Sequence, residues 1–122
     1  MDDVDEDLYD GVPVLALPIL EVDVPDPTHL RRSLRYPNAI DIDPAAAIEA
    51  ALDPRGLLAR DPKSRTGEAI RIIGYSPTAG RVLLVVLLPH EHPPQGLWHV
   101  VTAWPASRPW REAYSADDEE SE

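Results

Sequence analysis

The feature of this 122-residue sequence that most restricts its fold is a run of seven consecutive apolar residues at 82–88. A strand with one face in water alternates apolar and polar side chains, whereas this run has no polar residue for either face. Both faces must therefore be covered, and we expect the run to be the central strand of a sheet. Further strands are predicted at 56–59, 69–75 and 97–104, with a hairpin turn at 76–80.

Helices are predicted on both sides of these strands. Residues 28–36 can form a short basic helix with Leu30 and Leu34 on one face, and Asp43 is the expected N-cap of a second helix. A closing helical turn is predicted at 108–114. The order predicts an α+β fold with N-terminal helices, an antiparallel three- to four-stranded meander sheet and a short C-terminal helix.

An additional strand is predicted near the N-terminus, at residues 20–24. Leu20, Val22 and Val24 alternate there with two acidic residues, which is the period of a half-buried strand. Prolines at positions 18 and 25 bracket the segment and confine it to the edge of a sheet. The alternative is an extended arm that lies on a partner.

Charge divides the chain into a basic centre and two acidic ends. Residues 1–27 hold nine acids and 115–122 hold five, with no Lys or Arg, whereas 28–114 hold eleven bases and eight acids. We expect an acidic, Pro-rich, partly disordered arm over 1–27, one α+β domain over 28–114 and an acidic disordered tail over 115–122. Such acidic tails serve as interaction or self-masking segments, or they keep a small domain soluble.

Several protein classes are excluded or disfavoured by composition. The absence of cysteine excludes disulfides and thiolate zinc sites, and no apolar run approaches the ~20 residues of a membrane span. The acidic start is the opposite of a secretory signal, so a cytoplasmic location is expected. His90 and His92 could contact a metal, but no further ligand is spaced to complete a set, and no metal or other cofactor is predicted.

The middle and the end of the chain, roughly residues 43–114, resemble the BrnT family of toxins. The matching motifs are the loop DPKSRTGE at 61–68, a strand that ends in Ile-Gly at 73–74, and GRVLLVV at 80–86. The ending VVTAWPASR at 100–108, followed by Tyr114, also resembles the family without a gap. The order and spacing of these short motifs carry the resemblance.

The resemblance implies a RelE-like fold and a ribonuclease toxin that cleaves RNA without a metal, paired with a ribbon-helix-helix antitoxin. Cleavage of this kind needs a base for the 2′-hydroxyl, cations for the phosphorane charge and an acid for the leaving oxygen. The candidate catalytic residues at family positions are Arg81, His99 and Tyr114. The candidate RNA-binding residues are Arg60, Lys63 and Arg65 of the basic loop, together with Arg108.

Three positions depart from the family pattern. Where the family has basic residues, this chain has Ala69, Tyr75 and Trp104. A second function therefore stands beside the first, namely a non-catalytic interaction module of the same fold that binds a protein partner. A third is an acidic nucleic-acid mimic whose tails bind a basic partner, which the tails favour and the resemblance does not. No oligomeric state is predicted.

Overall fold

The computed structural model describes residues 8–9, 12–13, 16–64, 67–91 and 94–120. In chain order the elements are β1 (Leu8–Tyr9), β2 (Val12–Pro13), β3 (Glu21–Asp23), two 3₁₀ segments (Pro27–Leu30 and Arg32–Leu34), α1 (Pro44–Ala51), β4 (Leu57–Arg60), β5 (Ile70–Ser76), β6 (Arg81–Pro89), β7 (Leu97–Pro105) and α2 (Arg108–Glu120). Strands β1 and β2 pair only with each other, and the other five form one sheet.

The main sheet has the strand order β3-β7-β6-β5-β4. Strands β4 to β7 are antiparallel to their neighbours, whereas β3 pairs in parallel with β7. The α+β class is confirmed, but the sheet is a mixed five-stranded one and not the expected antiparallel meander. The difference arises because β3 pairs with β7, the last of the strands, at one edge of the sheet. No hairpin connects these two strands, so none fixes their relative direction.

Strand β6 is the middle strand of this sheet, as its apolar run predicts. Leu83, Val85 and Leu87 pack into one buried cluster with α1, and we call this side the α1 face. Leu84 and Val86 belong to a second cluster on the opposite side, which includes side chains from α2 and which we call the α2 face. The two clusters account for the absence of polar residues at positions 82–88 of β6.

Helix α1 lies unusually close to the sheet. The expected N-cap is confirmed, because Asp43 Oδ1 accepts a hydrogen bond of 2.8 Å from the Ala45 amide. Leu52, the C-cap, is 41% exposed, and the buried side chains of the helix are alanines, at positions 46, 47, 50 and 51. A Cβ added to Gly74 of β5 would lie 2.0 Å from the Ala50 carbonyl oxygen. Small residues on both partners therefore let the two backbones touch.

The helix predicted at 28–36 is wrong. Two 3₁₀ segments occupy this region, separated by Arg31, whose backbone is not helical (φ −91°, ψ 72°). Leu30 is 1% exposed and Leu34 is 60% exposed, because the non-helical residue Arg31 lies between them and breaks the shared helical face. Prolines at 27 and 37 leave too short a segment for a stable α-helix.

The N-terminal strand is part of the folded sheet. It is found at Glu21–Asp23, at the predicted edge position, with Val22 and Val24 packed against the core. Leu20 is exposed, contrary to the expected pattern. The indole N–H of Trp98 donates to the Pro18 carbonyl at 2.8 Å. The sheet thus takes in part of the segment predicted as an N-terminal arm, and residues 1–7, 10–11 and 14–15 of that segment lie outside the described residues.

The C-terminal segment predicted as a disordered acidic tail continues a helix. The backbone of α2 is helical from Arg108 to Glu120, and residues 121–122 lie outside the described part of the chain. No Gly or Pro follows Pro109, and Ala and Glu are strong helix formers, so no residue stops the helix after Tyr114. Among the helices that the described residues form, none combines the length and apolar character needed to cross a membrane.

Candidate functional site

The α2 face of the sheet is covered over only part of its width. Trp110 and Tyr114 of α2 pack with the β5 and β6 side chains of this face. Along β7, Trp104 pairs with Leu84 and His99 pairs with Leu88, so both project from the same side of the sheet. An uncovered strip of polar and aromatic side chains therefore follows β7 toward β3. This β7 strip consists of Asp23, His99, Thr102 and Trp104.

A groove of about 420 Å³ lies at the Trp104 end of the β7 strip. The guanidinium carbon of Arg32 is 5.0 Å from the Trp104 ring centroid and 5.2 Å from that of Tyr36, which is cation–π geometry. We call this the aromatic–basic groove. It is lined by His29, Arg32, Arg35, Tyr36, Val101, Thr102 and Trp104.

The 3₁₀ segments that form one wall of the groove are anchored to the sheet. Thr102 Oγ1 donates to the His29 carbonyl at 3.3 Å, and the buried Leu30 side chain belongs to the α1-face core. Asp41 accepts hydrogen bonds from the backbone and the hydroxyl of Ser33, and these hold the pKa of Asp41 below its ordinary value. The basic wall is therefore positioned by contacts that do not involve the Arg32 guanidinium.

A cluster of two histidines and one carboxylate lies at the other end of the β7 strip. His99 Nδ1 is 2.6 Å from Asp23 Oδ1, and His90 Nε2 is 3.3 Å from Asp23 Oδ2. The two imidazole rings have centroids 3.5 Å apart. Burial raises the pKa of Asp23, but the hydrogen bonds and charges of His99 and His90 outweigh it and hold that pKa below its ordinary value. We call these three residues the histidine cluster.

The sequence analysis missed the histidine cluster because its members are far apart in the chain. His90 was paired with His92, which lies outside the described residues, and His99 was assigned a catalytic role without Asp23. The parallel register sets Asp23 opposite His99. The only sequence signal was that Asp23 falls on the polar side of an alternating segment.

The three candidate catalytic residues are not brought together. Arg81 begins β6 opposite Ser76, whereas His99 lies opposite Leu88, seven residues further along β6. At ~3.3 Å per residue this separation is about 23 Å.

Tyr114, the third candidate catalytic residue, lies in a separate contact on the covered part of the α2 face. Its hydroxyl donates to Asp53 Oδ2 at 2.5 Å, and the same oxygen accepts the Tyr75 amide at 2.8 Å. Burial, together with the hydrogen bond and charge of Asp53, raises the pKa of Tyr114 to about 12. The phenol therefore remains a hydrogen-bond donor at neutral pH.

The candidate RNA-binding residues that the structure describes, Arg60, Lys63 and Arg108, are not among those that line the groove. Arg60 donates from Nη2 to the Gly67 carbonyl at 3.0 Å, and Lys63 follows in the next turn. Arg108 begins α2 and donates to Glu112 Oε2 at 2.9 Å, while Arg65 lies outside the described residues.

The three positions that depart from the family pattern have different environments. Ala69 is buried, and Tyr75 is exposed beside Asp53. Trp104 carries the Arg32 guanidinium over its ring. The Arg32 guanidinium therefore lies over position 104, where the resemblance expects a basic residue, although Arg32 comes from a different part of the chain.

Comparison of the chain with protein-family models, with curated proteins and with solved structures finds no match. The BrnT resemblance and the RelE-like fold that it implies therefore stay predictions. The functional argument depends on the residues of this chain.

Proposed function

We propose that this chain binds single-stranded RNA in the aromatic–basic groove and, as a BrnT-like toxin, cleaves it without a metal. The observation that carries the proposal is the Arg32 guanidinium, which lies over the rings of both Tyr36 and Trp104 in an open groove. Unpaired bases stack on aromatic rings and guanidinium planes, while arginines neutralise phosphates. A flexible strand can use both kinds of contact at once.

The charge around the groove supports an anionic ligand even though the whole chain is acidic. Arg32 and Arg35 line the groove, and no acidic residue is among the described residues that line it. The net charge of −11 comes largely from the acids of residues 1–27 and 115–122. If two phosphates are neutralised, the logarithm of the affinity falls with the logarithm of salt with a slope of about −1.4.

Binding is tested by fluorescence anisotropy with the full chain and a labelled single-stranded RNA of about 12 nucleotides at ~50 mM salt. Arg32→Ala and Trp104→Leu are each expected to weaken binding about tenfold or more, because a stacked base contributes roughly 1–3 kcal/mol. Arg111→Ala is the matched control, since it removes the same charge from an exposed position on α2. Equal losses in Arg111→Ala and Arg32→Ala would contradict a site in the groove.

Cleavage is the part of the proposal that the resemblance implies. Among the candidate catalytic residues, His99 lies on the same strand and face as the groove, and Asp23 orients its ring as a partner orients a general base. Incubation of RNA with the full chain in EDTA is expected to give products, and His99→Gln is expected to abolish them while RNA binding remains. RNA that is bound but not cleaved would support the proposed binding function and contradict the proposed ribonuclease activity.

The second candidate function is a non-catalytic module that binds a protein, such as a ribbon-helix-helix antitoxin. It is favoured by three exposed large hydrophobic side chains within residues 34–40, those of Leu34, Tyr36 and Ile40, of which Tyr36 lines the groove. Absence of RNA binding by the wild-type chain at ~50 mM salt, with its fold intact, would favour this module over the RNA-binding proposal.

A further inference from the structure

The geometry points to a site for a divalent transition-metal ion, Zn²⁺ before others, at Asp23, His90 and His99. Each residue offers one ligand atom, and the three atoms lie within 4.8 Å of one another. Two imidazole nitrogens with one carboxylate oxygen form a common set of protein ligands for zinc. The inference goes beyond RNA binding and does not depend on it, because the groove and the histidine cluster have no residue in common. It shares Asp23 and His99 with the proposed cleavage but is tested without RNA.

The distances within the histidine cluster suit a single ion. Zinc bonds of about 2.0–2.2 Å in a tetrahedral arrangement set neighbouring ligand atoms about 3.4 Å apart. The Asp23–His90 distance of 3.3 Å already has this value, and the Asp23–His99 distance of 2.6 Å is that of a hydrogen bond. Since the three ligand atoms lie within 4.8 Å of one another, an ion that replaces the hydrogen-bonded proton needs side-chain movements on the order of 1 Å.

The backbone holds the three ligands in place before any ion binds. Asp23 and His99 occupy paired positions on the adjacent strands β3 and β7. His90 directly follows β6, and its amide donates to the Leu97 carbonyl of β7 at 2.9 Å. Because all three backbone positions are tied to β7, only side-chain rotations separate the present arrangement from a coordinated one.

The type of ion follows from the ligands and their exposure. Imidazole nitrogens favour zinc, nickel or copper, whereas magnesium and calcium prefer sites made of oxygen atoms alone. The side chains of Asp23, His90 and His99 are 58%, 37% and 30% exposed, so water can reach the ion. Three protein ligands with an open fourth position resemble an exchangeable or catalytic zinc site more than a closed structural one.

A second histidine–aspartate pair on the same protein provides the matched control. His29 Nε2 lies 3.4 Å from Asp26 Oδ2, and both side chains are about half exposed, at 49% and 60%. Among the described residues, this pair is not part of a three-ligand group. It therefore has the pairwise geometry of the histidine cluster without the third ligand.

The experiment is isothermal titration calorimetry of ZnCl₂ into the full chain after treatment with a chelator. We expect one ion per chain, and we expect Asp23→Asn, His90→Gln and His99→Gln each to weaken zinc binding at least about tenfold. His29→Gln is expected to change zinc affinity less than about twofold, and MgCl₂ is expected to give no saturable binding. Circular dichroism without metal checks that each variant is folded.

Two outcomes of the titration would overturn the inference. One is a wild-type chain that binds no stoichiometric zinc, and the other is wild-type affinity in both Asp23→Asn and His99→Gln, which would mean that the two strands are not involved. Should a variant fail to fold, NMR of the wild-type chain still decides the matter. Zinc must shift the imidazole signals of His90 and His99 but not those of His29, and a shift confined to His29 would refute the site.

Discussion

The two faces of the sheet differ in how their polar groups are used. On the α1 face, polar side chains hold elements together: Glu49 of α1 accepts hydrogen bonds of 2.7–3.0 Å from Ser76 and Thr78 at the β5–β6 hairpin. On the uncovered part of the α2 face, His90 and His99 pair with Asp23 beside solvent. The polar groups of the α1 face therefore contribute to stability. Those on the uncovered part of the α2 face are instead able to exchange their partner for a ligand.

The two faces also differ in how closely a helix packs against each of them. Helix α1 contacts β5 through backbone and alanine, which leaves no room for a ligand between them. Helix α2 instead covers β5 and β6 with the larger side chains Trp110 and Tyr114 and leaves the β7 strip open. A sheet with one tightly packed face can therefore expose reactive side chains on its other face without losing its core.

The largest effect is expected where the α1 face is tightest. Gly74→Ala sets a methyl group against the Ala50 carbonyl, and we expect a loss of about 3 kcal/mol or more in unfolding free energy, or failure to fold. Urea denaturation measures it. Gly80→Ala is the control, because Gly80 has φ +68° but open space around it, and it should cost only about 1 kcal/mol. Equal costs at both glycines would contradict the close approach of α1.

A smaller effect distinguishes the two faces within β6 itself. Leu87→Ala removes a side chain from the α1 face and is expected to cost about 3–4 kcal/mol, whereas Leu84→Ala on the α2 face is expected to cost about 2 kcal/mol. The reason is that a partly covered face can collapse around a cavity more easily. Chemical denaturation of both variants measures the difference, and a larger cost for Leu84→Ala would reverse the comparison.

The smallest effect concerns the hydrogen bond between α2 and the segment after α1. Tyr114→Phe removes the bond to Asp53 and is expected to cost about 1–2 kcal/mol at pH 7. Because the pKa of Tyr114 is raised from 10 to about 12, this stabilisation is present in full below pH 10 and is lost as the pH rises toward 12.

The measurement is urea denaturation of the wild type and Tyr114→Phe between pH 7 and pH 12. The difference in unfolding free energy should stay constant up to about pH 10 and then shrink. Tyr75→Phe is the matched control, since Tyr75 is an exposed tyrosine near the same carboxylate. A difference independent of pH over the whole range would show that the phenol proton is not responsible.

Local patterns in the sequence predicted most of the sheet. The lack of polar residues at 82–88 identified the central strand. The Asp43 cap and the turn at 76–80 identified the start of α1 and the β5–β6 hairpin. The parallel pairing of β3 with β7 could not be predicted, because hydrophobic period locates a strand but not its partner. The two 3₁₀ segments were missed since their charge and leucine spacing also fit a helix.

The candidate site was less predictable because its contacts join distant parts of the chain. Arg32 lies over the ring of Trp104, which is 72 positions away in the chain, and nothing in the local sequence connects the two residues. His99 was identified as a candidate, but its partner Asp23 is 76 positions away. A sequence shows which residues are able to do chemistry, whereas the register of β3 on β7 decides which of them meet.

The parallel pairing of β3 with β7 also has a consequence for the order of folding. Asp23 leaves the ribosome 76 residues before His99, which at about 5–20 residues per second is roughly 4–15 s earlier. The β4–β7 hairpins connect neighbours in sequence, but the edge strand must wait for the last strand to be synthesised and then close the longest loop of the sheet. The histidine cluster is therefore completed only when synthesis of the domain is nearly finished.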